Sequence, residues 1–150
     1  MKKLIASLLI ILVITAGGMT WFQLTGNTTF GKVLSENLSG TDDITHIILE
    51  SRINGETLWA RIDDRDMINQ LIADQSTVSL NKQFGRNNEL LDYTMTIHKG
   101  FNSYFFDFDD GSFIGGNNDY KVMEGSFVEP IIQLGDDVEW VTGEEFLSVD

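Results

Sequence analysis

The sequence predicts an α+β fold: an N-terminal transmembrane helix or signal segment followed by a small antiparallel sheet packed against one or two helices. Three observations carry this expectation. Residues 4–24 are uncharged and follow Lys2 and Lys3. Three extended segments separated by turn signals succeed one another between Leu91 and Ile114, as an antiparallel meander requires. Apolar residues recur at helical spacing at Met67, Ile68, Leu71 and Ile72, and again at Ile131, Ile132 and Leu134.

The first element is the apolar run. Its 21 residues, at about 1.5 Å of rise each, reach about 31 Å, close to the hydrocarbon thickness of a bilayer. Trp21 and Phe22 fall where such a helix meets the far interface, and Lys2 and Lys3 hold its start on the cytoplasmic side. Small residues at Ala16 and Gly17 leave signal cleavage open, but no Ala-x-Ala site follows the apolar stretch, which favours retention. Residues 1–26 are therefore expected to be a signal anchor, 27–43 a juxtamembrane linker rich in Asn, Thr, Ser and Gly, and 44–150 an acidic extracytoplasmic domain. The expected location is the cell membrane, single-pass, with the C-terminal domain outside, or secreted if the segment is cleaved.

Within the domain, Ile47, Leu49 and Ile53 share one parity, as do Leu58, Ala60 and Ile62, and Asn54-Gly55 between them predicts a hairpin with a tight turn. Asp63 or Asp64 then caps the helix begun at Met67, which stops near residues 74–76. Val78 and Leu80 suggest a short strand before a loop at 85–88. Leu91, Tyr93, Met95 and Ile97 alternate with polar residues, and a turn at Lys99-Gly100 leads to a segment with Tyr104, Phe106 and Phe108 on one face and Phe105, Asp107 and Asp109 on the other. Asp110-Gly111 turns the chain into Ser112, Phe113 and Ile114, and a further short strand is expected over 120–123. Ser126 and Glu129 have the spacing of a capping box, with Pro130 in the first helical turn and Gly135 at the end. Val138, Trp140, Val141, Phe146 and Leu147 suggest a final segment packed partly across the domain.

Charge narrows the function. The chain carries a formal charge of −13, and because Lys2 and Lys3 are the only charged residues before position 27, everything after the apolar run carries −15. A surface so negative repels a phosphate backbone, so no nucleic-acid partner is expected. With 0 cysteines there is no disulfide, thiol nucleophile, thiolate zinc site or lipidated Cys.

The plan of Lys2-Lys3, the apolar run and a compact acidic domain is similar to that of small signal-anchored extracytoplasmic α+β proteins of Gram-positive bacteria, including ones without an assigned activity. The lipoprotein members of that broad group differ in carrying a Cys for lipidation, which this chain lacks. The resemblance implies a plan and transfers no site or activity.

The chemical constellations are sparse. Asp107, Asp109, Asp110 and Asp119 offer the oxygen ligands that calcium prefers, but Gly111 takes the place of an EF-hand ligand and no glutamate closes a twelve-residue loop, so a structural turn is the expected role and no cofactor is predicted. His46 and His98, the only two histidines, lie on the parity opposite the apolar residues; on adjacent strands they would meet, with Asp92 or Glu50 as a partner for proton transfer or a weak metal site. Ser126 with His98 and a carboxylate has no Gly-x-Ser-x-Gly context, and no lysine-containing phosphate loop follows Gly115-Gly116. The expected function is a membrane-tethered binding or regulatory domain whose acidic surface attracts a cationic protein or peptide, with Phe101, Phe105 and Trp140 as candidate contacts. Alternatives are an immunity or inhibitory protein sequestering a cationic peptide or secreted enzyme, a divalent-cation-binding domain, and a hydrolase using His98.

Overall fold

A computed structural model describes residues 26–38, 44–84 and 90–148. The expected anchor over 4–24 and the expected loop at 85–88 lie outside the described residues, and among those described no helix is long and apolar enough to cross a membrane.

The described residues form one nine-stranded sheet with a few short helices. Its strands are β1 (Asn27–Thr29), β2 (Ile44–Ser51), β3 (Leu58–Ile62), β4 (Ser79–Lys82), β5 (Tyr93–Lys99), β6 (Asn102–Phe108), β7 (Ser112–Gly115), β8 (Asn118–Glu124) and β9 (Val141–Thr142). The helices are α1 (Phe30–Asn37), α2 (Arg65–Ser76), α3 (Val128–Gln133) and α4 (Gly143–Leu147). In space the strands run β1-β4-β8-β7-β6-β5-β2-β3-β9, and the pairings are antiparallel. The predicted meander is therefore the middle of a larger sheet.

Alternation sorts the side chains between two faces. Cross-strand partners share a face, so Ala60, Leu49, Met95 and Phe106 form one row, and Ile62, Ile47, Ile97 and Tyr104 another. These rows, with Phe108, Phe113 and Tyr120, pack beneath α1, α2 and α3 into a single hydrophobic core. The predicted α2 starts where Asp64 accepts a hydrogen bond from the Met67 N–H at 2.9 Å, while Asp63 binds Arg61 instead. Ile68, Leu71 and Ile72 are its buried stripe.

Three expectations fail in whole or in part. Residues 27–38 are part of the folded domain, not a linker: Phe30, Val33, Leu34 and Leu38 are buried at the spacing of one helix face. Phe30 is the hub of the aromatic core, its ring 5.6 Å from Phe106, 5.4 Å from Phe113 and 5.2 Å from Phe127, each pair near perpendicular. Gly31 permits this approach, because a Cβ there would lie 3.1 Å from Ser76 of α2.

The β2–β3 hairpin forms, but not through a tight Asn54-Gly55 turn. Ser51 pairs with Leu58, and Ile53–Gly55 makes a single 3-10 turn between them, with Gly55 at φ 78° and Ile53 exposed. Arg52 pulls the chain aside: its N–H donates to the Asp92 carbonyl, and its guanidinium donates to Glu50, to the Leu91 carbonyl and to the Thr94 hydroxyl. The start of α3 keeps only the serine half of the expected capping box, the Ser126 hydroxyl accepting from the N–H groups of Val128 and Glu129. A complete capping box occurs instead at α4, between Thr142 and Glu145.

Candidate functional site

The covered face ends in a row formed by Leu58, Ser51 and Tyr93. Above this row, α3 and the segment leading to β9 leave a cleft of about 270 Å³ lined by Ser51, Leu58, Tyr93, Ile131, Ile132, Gly135 and Trp140. Each wall follows from local structure. Tyr93 opens β5 and stacks on Phe108 at 5.7 Å. Ile131 is buried on the inner side of α3, which leaves its neighbour Ile132 turned outward and 67% exposed. Gly135, at φ 51°, turns the chain out of α3, a backbone state that costs glycine little, and Trp140 returns against the core.

The cleft is apolar at its surface and negative in its surroundings. The Tyr93 hydroxyl is hydrogen-bonded to Ser51. Burial pushes that phenol's pKa up; the bond to Ser51 pulls it down, and the Asp92 and Asp110 carboxylates push it up again. Asp137 and Glu139, both exposed, lie within the segment between Gly135 and Trp140.

Of the three candidate contact residues, only Trp140 belongs to this cleft. Phe101 projects from the turn between β5 and β6, fully exposed, and Phe105 stands on the opposite face of the sheet at 63% exposure. The structure does not bring them together.

The candidate cation ligands also diverge. Asp107 accepts from the Thr94 hydroxyl at 2.5 Å, Asp109 closes its turn by accepting from the N–H groups of Gly111 and Ser112, and Asp110 accepts from Ser126. Asp119 and Asp107 each pair with Ile114 from opposite sides, so they stand about 10 Å apart, two strand spacings. Among the described residues no group of three or more His, Asp or Glu side chains is placed to share a metal ion.

His46 and His98 do meet. They are directly opposed on β2 and β5, with ring centroids 4.2 Å apart and planes within 12°. The acid partners expected beside them stand apart: Glu50 pairs with Arg52, and Asp92 precedes β5, at the end of the strand away from His98. Ser126 bonds Asp110 at the start of α3, while the hydroxyl beside His98 is that of Ser103, 3.0 Å from Nδ1. The hydrolytic grouping of Ser126 with His98 is not assembled.

A second concavity of about 340 Å³ lies between α2 and α3, lined by Ala73, Asp74, Thr77, Ser126, Glu129, Pro130 and Gln133. Its polar groups serve local structure, Ser126 at the helix start and Glu129 bonded to Gln133. The chain matches no protein-family model, no curated protein and no solved structure.

Proposed function

We propose that the chain is a membrane-tethered binding or regulatory domain displayed outside the cell, and that the Trp140 cleft takes a basic side chain of a cationic protein or peptide. The observation that carries this reading is the cleft itself: aromatic and aliphatic walls from Tyr93, Trp140, Leu58 and Ile132, with the Asp92 and Asp110 carboxylates acting on the Tyr93 phenol and the exposed Asp137 and Glu139 in the segment between Gly135 and Trp140. A lysine or arginine satisfies both properties, its methylene stem lying on the aliphatic wall and its charge near aromatic faces and carboxylates. The size agrees, because 270 Å³ falls below the roughly 300–1,000 Å³ of small-molecule sites and suits one or two side chains. The −15 charge of residues 27–150 adds long-range attraction. Tethering rests on residues 4–24, whose length and flanking lysines support an outward-facing domain, a plan shared with the small anchored extracytoplasmic proteins noted above. Sequestration of a toxic cationic peptide or secreted enzyme is a narrower form of the same reading and uses the same cleft.

The test is binding of a Lys/Arg-rich peptide to the full-length chain reconstituted in neutral-lipid vesicles. Ile132→Ser, at an exposed position, and the charge-removing triple change Asp92→Asn, Asp137→Asn, Glu139→Gln are each expected to weaken it, the triple change mainly through a slower, less salt-dependent association. Binding indifferent to both variants and to salt would refute the proposal.

A further inference from the structure

We infer that the stacked His46–His98 pair is a proton-sensitive latch that joins β2 to β5 while it holds at most one proton and loosens the centre of the sheet when the medium is acidified. The inference is independent of the cleft, which lies on the other face.

The geometry begins with register. After an irregularity between Ile44 and His46, His46 stands directly opposite His98 on the face away from the helices. The rings lie 4.2 Å apart and nearly parallel, a comfortable contact for neutral imidazoles and an unfavourable one for two imidazolium ions. Hydrogen bonds then fix where protons sit. The Thr45 hydroxyl donates its one proton to the His98 carbonyl at 3.1 Å, so its 3.2 Å contact with His46 Nδ1 requires that nitrogen to be the donor. His46 therefore carries its neutral-state proton on Nδ1. Nδ1 of His98 meets the Ser103 hydroxyl at 3.0 Å, and its Nε2 is sealed from solvent with no hydrogen-bond partner. A cationic His98 must place a proton on each nitrogen, one of them with no acceptor.

The surrounding charges act in the same direction. Burial lowers the His46 pKa most, followed by the Arg61 guanidinium and by His98; only Asp63 opposes them, and it is bound by Arg61 at 3.0 Å. The neutral Thr45 and Ser103 also meet the rings, and Glu50, further along β2, is held in its ion pair with Arg52. A depressed histidine pKa stabilises the folded form fully above the ordinary value near 6.5, and that stability is lost as pH falls toward the folded value. At pH 5.5, each proton the folded pair refuses favours the open form by up to about tenfold. Most carboxylates remain ionised between pH 7.5 and 5.5, so the histidines dominate this window.

The experiment uses the full-length chain in nonionic detergent with isotope-labelled histidine. NMR titration is expected to show His46 half-protonated below 6.5. Amide exchange in β2 and β5, corrected for its intrinsic pH dependence, should accelerate by up to about tenfold from pH 7.5 to 5.5. His98→Gln should return His46 part of the way toward its ordinary value and reduce the acceleration, with His46→Gln as the reciprocal variant should the first fail to fold. His46 half-protonated at or above 6.5, or β2 and β5 protection unchanged across the window, would overturn the latch.

Discussion

Phe105 and Phe106 are neighbours in sequence, yet one is 63% exposed and the other 1%. They stand for the two faces of the sheet. Under the helices the face is a continuous aromatic and aliphatic layer in which Phe30, Phe106, Phe113 and Phe127 interlock. On the opposite face the side chains are held in polar pairs instead: Arg52 with Glu50 and Thr94, Thr94 with Asp107, Arg61 with Asp63, His98 with Ser103. At its β3–β9 edge, α4 contributes Phe146 against Trp59, 5.6 Å away. The contrast teaches where stability resides. Burial of large apolar side chains is worth a few kcal/mol each, whereas exposed ion pairs contribute little, so most of the stability lies under the helices and the open face, away from the histidine pair, is freer to vary.

The sharpest way to break this comparison is Phe30→Ala. Removing the hub of the aromatic layer is expected to cost about 3–5 kcal/mol, read from the midpoint of chemical denaturation; a loss under about 1 kcal/mol would mean that α1 is not part of the core. Gly115→Ala comes next. Its Cβ would lie 2.7 Å from the Phe113 ring, and such overpacking costs about 1–3 kcal/mol, measured the same way. Asp64→Ala removes the α2 cap and is expected to cost about 1 kcal/mol, with Asp64→Asn retaining most of the stability. Phe105→Ser, on the open face, should change stability by less than about 0.5 kcal/mol. A larger loss there would show that the two faces are not energetically distinct.

What could be read from the residues was what local pattern encodes. The alternation of Tyr93, Met95 and Ile97 and the cap at Asp64 depend on neighbours in the chain, and the structure reproduces both. Helix α1 was obscured because Phe30, Val33, Leu34 and Leu38 sit among Gly, Ser, Asn and Thr residues whose composition reads as linker, although their spacing is helical. The pairing of β4 with both β1 and β8 joins segments far apart in sequence and has no local signature. Trp140 stood out in the sequence as a candidate, but Tyr93 and Ser51, which line the same cleft, are brought there only by the sheet. Conversely, Asp107, Asp109 and Asp110 looked like one cluster because they are close in sequence, and alternation plus a turn sends them to separate partners.

The most direct test of the cleft proposal is photo-crosslinking of a Lys/Arg-rich peptide to the full-length chain in vesicles, with the reactive group beside one basic residue. The expected adducts fall on Ile132, Gly135 and Trp140 and are competed away by unlabelled peptide. Competable adducts on Phe101 or Phe105, or none that compete, would contradict the assignment of binding to this cleft.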